Sequence, residues 1–156
     1  MKGIEYLDSQ GVAHLDLKLD NLLLGQDLKL KIADFDCSYS KGDDKITSLG
    51  TSNYRAPEIT KQECSDPYAA DIYSAGICLF VLMTGNFPYL EGAKIAGYEL
   101  EKLLRTDPAQ FWRAYNSYDS NTSFSEDFKN LFICMTKEDP VERATIQKDR
   151  KSTRLN

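Results

Sequence analysis

The sequence predicts a mainly α-helical domain with one short β-hairpin, and three patterns support this. Residues 77–83, Ile-Cys-Leu-Phe-Val-Leu-Met, are apolar on every side of a helix drawn through them, which is typical of a buried core helix. Segments 94–105 and 124–135 have the pattern of amphipathic surface helices. Residues 28–32, Leu-Lys-Leu-Lys-Ile, alternate apolar and polar positions as a half-buried strand does.

The elements follow one another with recognisable boundaries. Residues 2–9 suit a helix that ends at Gly11, a residue that readily takes the left-handed conformation of a helix C-terminus. Leu22 to Leu24 is the expected hairpin partner of strand 28–32 across a turn at 25–27. Segment 37–49 is rich in Ser, Lys, Asp and Gly and predicts a long exposed loop. The core helix is expected to run from Asp71 to Met83.

Composition excludes several classes of protein. Of 156 residues, 42% are hydrophobic and 28% are charged, which indicates a folded domain rather than a disordered one. The net charge of −5 argues against nucleic-acid binding, because phosphate backbones are met by basic faces. The chain shows no signal peptide and no run of 18 apolar residues, so we expect no membrane segment and a cytoplasmic or nuclear location.

The four cysteines do not suggest a metal site. They are widely spaced, and the single histidine completes no familiar zinc spacing with them. We therefore expect reduced, structural thiols. The charged segment 148–156 has no apolar period and is expected to be a non-native or disordered tail, which leaves one domain over residues 1–147.

Segment 14–21, His-Leu-Asp-Leu-Lys-Leu-Asp-Asn, carries the densest set of polar groups. Taken alone, its leucines at every second position favour an amphipathic strand. Its acidic residues also invite a calcium-loop interpretation, but the glycine and the closing glutamate of an EF-hand are absent at the required offsets. The segment alone does not decide its role.

Later motifs change that interpretation. Asp34-Phe35-Asp36 begins 13 residues after Asn21, and Ala56-Pro57-Glu58 ends 24 residues after Asp34. Three further motifs follow in order along the chain, at residues 50–58, 71–76 and 139–145. In this order the motifs resemble the signatures of serine/threonine protein kinases, and together they resemble the C-terminal lobe of that fold.

The resemblance implies a reaction and its residues. Asp16 would be the catalytic base, and Lys18 would place positive charge beside the transferred phosphoryl group. Asn21 and Asp34 would hold Mg²⁺, and ATP would be the phosphoryl donor. The partners would be protein substrates with Ser or Thr acceptors. Phosphoryl transfer needs a carboxylate near the attacking hydroxyl and hard oxygen ligands for magnesium, which these residue types supply.

The resemblance also assigns supporting roles. His14 would support the Phe35 side chain, and Asp71 would anchor the backbone of the catalytic loop. Glu58 and Arg143 are expected to form a buried ion pair. Two threonines are implied in the activation and substrate-docking loop, at positions 47 and 51.

The sequence departs from the family at several places. Leu15 stands where many relatives carry an arginine that clamps a phosphorylated loop, and Asp36 stands where a glycine is usual. No Gly-x-Gly-x-x-Gly segment precedes His14. We therefore expect a C-lobe fragment that is weak or inactive alone, since positioning of the phosphates supplies most of the catalysis. The alternative is a non-catalytic module that uses this lobe to bind or regulate proteins.

Overall fold

The computed structural model describes residues 1–46, 48–90, 94, 99–119 and 122–145. Its described part is mainly helical, as predicted, with two small two-stranded sheets. The helices are α1 (Lys2–Ser9), α2 (Pro57–Thr60), α3 (Pro67–Thr84), α4 (Leu100–Thr106), α5 (Pro108–Tyr118) and α6 (Glu126–Met135). The strands are β1 (Val12–Ala13), β2 (Leu22–Leu24), β3 (Leu30–Ile32) and β4 (Tyr39–Ser40).

Helix α3 is the core helix, and it is longer than predicted. The Asp66 side chain accepts hydrogen bonds from the N–H groups of Tyr68 and Ala69, and Pro67 occupies the first turn, so the helix starts a turn before Asp71. It ends at Gly85, whose φ is 72°. The prediction of burial on every side is wrong for the last turn, where Leu82 is 66% exposed.

By length and composition α3 is also apolar enough to cross a membrane, and it is the one described helix of which this is true. In this structure 56% of the residues of α3 are buried. The core helix of a soluble protein can have the same length and apolar composition.

An aromatic cluster joins α3 to α5 and α6. Phe80 is fully buried at its centre, and its ring lies 5.0 Å from Tyr115 and 4.9 Å from Phe132. Trp112 and Phe124 pack at 6.1 Å and 5.6 Å from the same ring. Such aromatic pairs add to the burial of apolar area, so this cluster fixes the second half of the chain against α3.

The region after α3 corrects two sequence predictions. The helix predicted over 94–105 begins only at Leu100, and residues 95–98 lie outside the described part. The sequence analysis missed α5, although Asp107-Pro108 is an N-terminal signal: the Asp107 carboxylate accepts from the N–H of Gln110, and Pro108 is the first helical residue.

The first forty residues form the frame of the site. The β2–β3 hairpin forms as predicted, with Leu22 opposite Ile32. β1 pairs with β4, which lies inside segment 37–49, where the sequence predicted a long exposed loop. The strand interpretation of 14–21 is wrong, because residues 14–18 have no regular structure and Leu19–Asn21 form a 3₁₀ turn. The predicted tail 148–156 lies outside the described residues, and all four cysteines are free thiols.

Candidate active site

The loop that follows β1 is fixed by a buried carboxylate from the core helix. Asp71 is 1% exposed, and its oxygens accept hydrogen bonds from the backbone N–H of His14 at 2.6 Å and of Leu15 at 2.8 Å. Leu15 has a left-handed backbone with φ of 60°, which is a costly conformation for leucine. The backbone N–H groups of His14 and Leu15 both point at the Asp71 carboxylate. Burial raises the pKa of Asp71 to about 6, even though both N–H bonds favour its ionised form.

His14 connects this loop to the segment that carries Asp34. Its Nε2 lies 2.9 Å from the Ala33 carbonyl oxygen, and its Nδ1 accepts from the backbone N–H of Asp16 at 3.2 Å. These two partners assign the proton to Nε2. The ring also lies 4.9 Å from that of Phe35. His14 is fully buried and faces other protein groups, so it has the position of a structural residue.

Asp16 is the most heavily hydrogen-bonded carboxylate of the loop. Its Oδ1 accepts from the backbone N–H of Thr51 at 2.8 Å and from the Thr51 hydroxyl at 2.7 Å. Its Oδ2 lies 2.9 Å from Lys18 Nζ and 3.4 Å from Asn21 Nδ2. Burial alone would raise the pKa of Asp16, but the bonds from Thr51 and Lys18 outweigh it and lower the pKa below its usual range. Asp16 is therefore an ionised acceptor at neutral pH.

Lys18 completes this small network. Its Nζ donates to Thr51 Oγ1 at 3.1 Å in addition to pairing with Asp16. The hydrogen bond to Asp16 raises the pKa of Lys18, and the negative charges of Asp20 and Asp34 raise it further. Lys18 thus carries a positive charge that contacts the Asp16 carboxylate and interacts electrostatically with Asp34.

The hairpin brings Asn21 and Asp34 together. Asn21 immediately precedes β2, and its carbonyl oxygen accepts from the N–H of Ala33, the residue before Asp34. Both recorded hydrogen bonds of the Asn21 side chain use Nδ2, which leaves Oδ1 with no partner among the described residues. Asp34 is exposed. An amide oxygen and a carboxylate at one edge fit Mg²⁺, which takes few protein ligands and completes its shell with water and phosphate oxygens.

The described residues contain no group of three or more His, Cys, Asp or Glu side chains placed to share a metal.

Gly50 is a site residue that the sequence analysis did not single out. Its φ is 64°, and a Cβ at this position would lie 2.3 Å from the carbonyl oxygen of Leu15. Only glycine allows this approach, which places Thr51 against Asp16. The signal was present in the sequence as the first residue of segment 50–58, but a single sequence does not show which backbone the glycine must touch.

The predicted pair of Glu58 and Arg143 is present and buried. Arg143 Nη1 and Nη2 lie 2.6 Å and 3.0 Å from the two Glu58 oxygens, and Arg143 is 1% exposed. The guanidinium also donates to the carbonyl oxygens of Ala69 and Lys137, and it stacks 5.1 Å from the centre of the Tyr73 ring. This bidentate pair ties the segment after α6 to the end of segment 50–58.

The sequence also singled out Thr47 and Leu15. Thr47 lies outside the described residues. Leu15, at the position where many kinases carry an arginine, is 7% exposed and belongs to the main apolar core. The charged clamp is thus replaced by a packing contact.

Comparison with known proteins agrees with these motifs. A family model for the protein kinase domain matches residues 1–153. CBL-interacting protein kinase 26 of Oryza sativa subsp. japonica is 36% identical over 97% of this chain, which spans 29% of that protein. Probable serine/threonine-protein kinase MARK-B of Dictyostelium discoideum is 36% identical over 92% of the chain, which spans 19% of it. Probable serine/threonine-protein kinase KCC4 of Saccharomyces cerevisiae is 34% identical over 93% of the chain, which spans 13% of it.

Proposed function

This chain belongs to the protein kinase family, and from that premise we propose that it carries the catalytic loop of a serine/threonine kinase and phosphorylates Ser or Thr hydroxyls of protein substrates. The observation that carries the proposal is the Asp16 carboxylate, kept ionised by Thr51 and Lys18 beside the Asn21 and Asp34 pair. A cytoplasmic or nuclear location is part of the same proposal.

The chemistry follows from what each side chain presents. Asp16 would accept the proton of the attacking hydroxyl. All four acceptor positions of its carboxylate are in use, and the weakest contact is that from Asn21 Nδ2 at 3.4 Å. A substrate hydroxyl would therefore replace this contact on Oδ2, next to Lys18, whose charge stabilises the negative charge on the phosphoryl oxygens. Asn21 and Asp34 would hold Mg²⁺, which neutralises phosphate charge when bound with ATP.

We further propose that residues 1–147 form the C-terminal lobe of the kinase fold. In support, the described part is mainly helical, its strands lie in two small sheets, and the sequence contains no Gly-x-Gly-x-x-Gly segment. The groups that cover the nucleotide phosphates are then not among these 156 residues. This chain alone should bind Mg·ATP weakly, and calorimetry that finds micromolar binding would contradict that part of the proposal.

The test of activity uses the whole natural protein that contains this chain. Phosphate from labelled ATP should enter Ser or Thr peptides and not Tyr peptides. Asp16→Asn should lower kcat by about 10² to 10⁴, because the base is lost while the side chain keeps its size. Asp27→Asn is the matched control: it makes the same substitution at an exposed carboxylate in the turn of the hairpin, which contacts Lys29.

If Asp16→Asn left the rate unchanged, or if the protein showed no phosphate transfer, the catalytic proposal would be wrong. The alternative of a non-catalytic interaction module would then be favoured.

A further inference from the structure

A polar cleft of about 180 Å³ lies beside the segment that contacts Asp16. One wall begins at Ser52, the neighbour of Thr51, and continues along α2 to Lys61. The opposite wall is α4, which contributes Glu101 and Arg105. Because Thr51 is hydrogen-bonded to Asp16, a peptide with its acceptor residue at Asp16 would place a residue close to the acceptor at this cleft.

The cleft contains more positive than negative charge. Among the described residues Arg55, Lys61 and Arg105 line it, and Glu101 is the one carboxylate that they include. Arg55 is the most constrained of the three, because its Nε and Nη2 donate to the carbonyl oxygens of Leu49 and Gly50. Its guanidinium is therefore held at the start of the cleft by the backbone of these two residues.

Arg105 uses little of its hydrogen-bonding capacity. Its Nη2 donates to Glu101, while Nη1 lies 4.0 Å from Glu138, beyond hydrogen-bond distance. Its Nε is buried and has no acceptor in the described part of the chain. A guanidinium carries five N–H donors, so Nη1 of Arg105, which has no hydrogen bond to a described residue, can donate to a further anionic oxygen.

Glu138 stands at the edge of the cleft and already supplies such a group. Its carboxylate lies 2.9 Å from Lys61 Nζ, and this hydrogen bond lowers the pKa of Glu138. Lys61 and Glu138 are 50% and 44% exposed, so the pair is weak and can exchange with a competing anion. Glu138 thus shows where a carboxylate binds and competes for the same cations.

We propose that this cleft is a specificity subsite that binds an anionic side chain of the protein substrate, a carboxylate or a phosphoryl group, near the acceptor residue. The inference rests on the proposed kinase function for the word substrate, but anion binding itself does not. It predicts a preference for acidic or previously phosphorylated sequences, which the net charge of −5 of the chain would not suggest.

Binding is measured first, because it needs no phosphate transfer. Fluorescent Ser peptides with Glu at each position around the acceptor, and matched peptides with Gln or phosphoserine, are titrated into the protein at low and high salt. One position should prefer Glu or phosphoserine over Gln, and the preference should weaken with salt. Comparison of the Glu and phosphoserine peptides separates the two anion sources.

Three variants should change the affinity for the preferred peptide in different ways. Lys61→Gln should weaken binding of the preferred peptide about two- to fivefold, as expected for an exposed ion pair. Glu138→Gln should strengthen it, since it removes the competing carboxylate. Lys102→Gln, an identical substitution at an exposed residue of α4 outside the cleft wall, should leave it unchanged. A general loss of stability would move Lys61→Gln and Glu138→Gln in the same direction, so opposite signs exclude it.

Equal binding of the Glu and Gln peptides, or an equal effect of Lys61→Gln and Lys102→Gln, would overturn the inference. Phosphate transfer that depends on Asp16 but shows no acidic preference would also overturn it, and would leave the kinase proposal intact. Acidic preference in binding without any transfer would support the anion site and contradict the kinase proposal.

Discussion

Gly50 shows how one residue without a side chain determines the geometry of the site. Its neighbour Thr51 reaches Asp16 only because the backbone at Gly50 passes against the carbonyl oxygen of Leu15. A methyl group at 2.3 Å from backbone must displace either this segment or the catalytic loop. The consequence belongs to catalysis more than to stability, since the displaced groups hold the proposed base.

We therefore expect Gly50→Ala to lower kcat of the natural protein by more than tenfold. Gly85→Ala is the matched control: its φ of 72° is close to the 64° of Gly50, but a Cβ there meets no atom within 4 Å. Both variants should lose about 1–2 kcal/mol from a left-handed alanine. Only Gly50→Ala should lose activity in assays at a temperature where both are folded. Equal activity of the two would show that the close contact has no role.

Asp71 makes the stability of the fold depend on pH. Its pKa is about 6 in the folded state against a usual value of 3.8, so the folded protein holds its proton more tightly than the unfolded chain does. The stabilisation from this group is complete below pH 3.8 and is lost as pH rises through 6. Asp16 behaves in the opposite way. Its pKa is lowered in the folded state, so its contribution to the stability of the fold is present above its unfolded pKa and is lost as the pH falls.

Urea unfolding between pH 4.5 and 6.5 tests this. The free energy of unfolding should contain a decreasing contribution of about 2 kcal/mol over the window, estimated from the pKa shift. Asp71→Asn cannot ionise, so its curve should lack that decrease even though the variant is less stable overall. Parallel curves for the two proteins would contradict the assignment.

The elements show what a single sequence could predict. Periodicity located α1, α3, α6 and the hairpin, because each has an apolar pattern that depends only on neighbours along the chain. The kinase motifs predicted two contacts that the structure contains, the pair of Glu58 and Arg143 and the contact of Asp71 with the loop backbone. Boundaries failed where a cap outweighed the pattern: Asp66-Pro67 lengthened α3, and Asp107-Pro108 began a helix that we had missed.

Contacts made by the backbone were beyond that approach. The left-handed Leu15, the approach of Gly50 and the pairing of β1 with β4 depend on segments that are far apart in sequence. The underused guanidinium of Arg105 likewise follows from where α4 packs, and no local pattern carries that information.

Glu58 and Arg143 are 85 residues apart in the sequence, and their ion pair joins α2 to the segment after α6. Arg143→Gln leaves the Glu58 carboxylate buried without a cation, and this should cost about 3–5 kcal/mol of unfolding free energy. Arg113→Gln makes the same change at an exposed position of α5 and should cost less than about 0.5 kcal/mol. Denaturant unfolding of both variants measures the difference. Similar values would mean that the pair does not hold α2 in place.

On the scale of the whole molecule, the site is assembled from residues that lie far apart along the chain. The loop that contains Asp16 is held by α3, and the end of segment 50–58 is held by the loop after α6. Contacts within the first fifty residues alone would not fix Asp16, because Asp71 holds the backbone of the two residues before it and Thr51 holds its carboxylate. A change that loosens α3 should therefore reduce activity before it unfolds the fold as a whole.

One face of the molecule is apolar and open. A groove of about 1130 Å³ lies between α1, the hairpin, α3 and α6. Leu82 of α3 and Leu131 of α6 are 66% and 38% exposed, and both lie in the wall of this one groove. An open apolar surface of this kind promotes association, since contact removes it from water.

We therefore expect the 156-residue chain by itself to self-associate as its concentration rises, which sedimentation velocity can measure. The double variant Leu82→Gln and Leu131→Gln should shift the distribution toward the monomer, with little change in the urea midpoint because both side chains are already partly in water. Leu28→Gln is the control, since Leu28 is 79% exposed on the hairpin but lies outside the groove wall. If Leu28→Gln reduced association as much as the double variant, general surface hydrophobicity and not the groove would cause it.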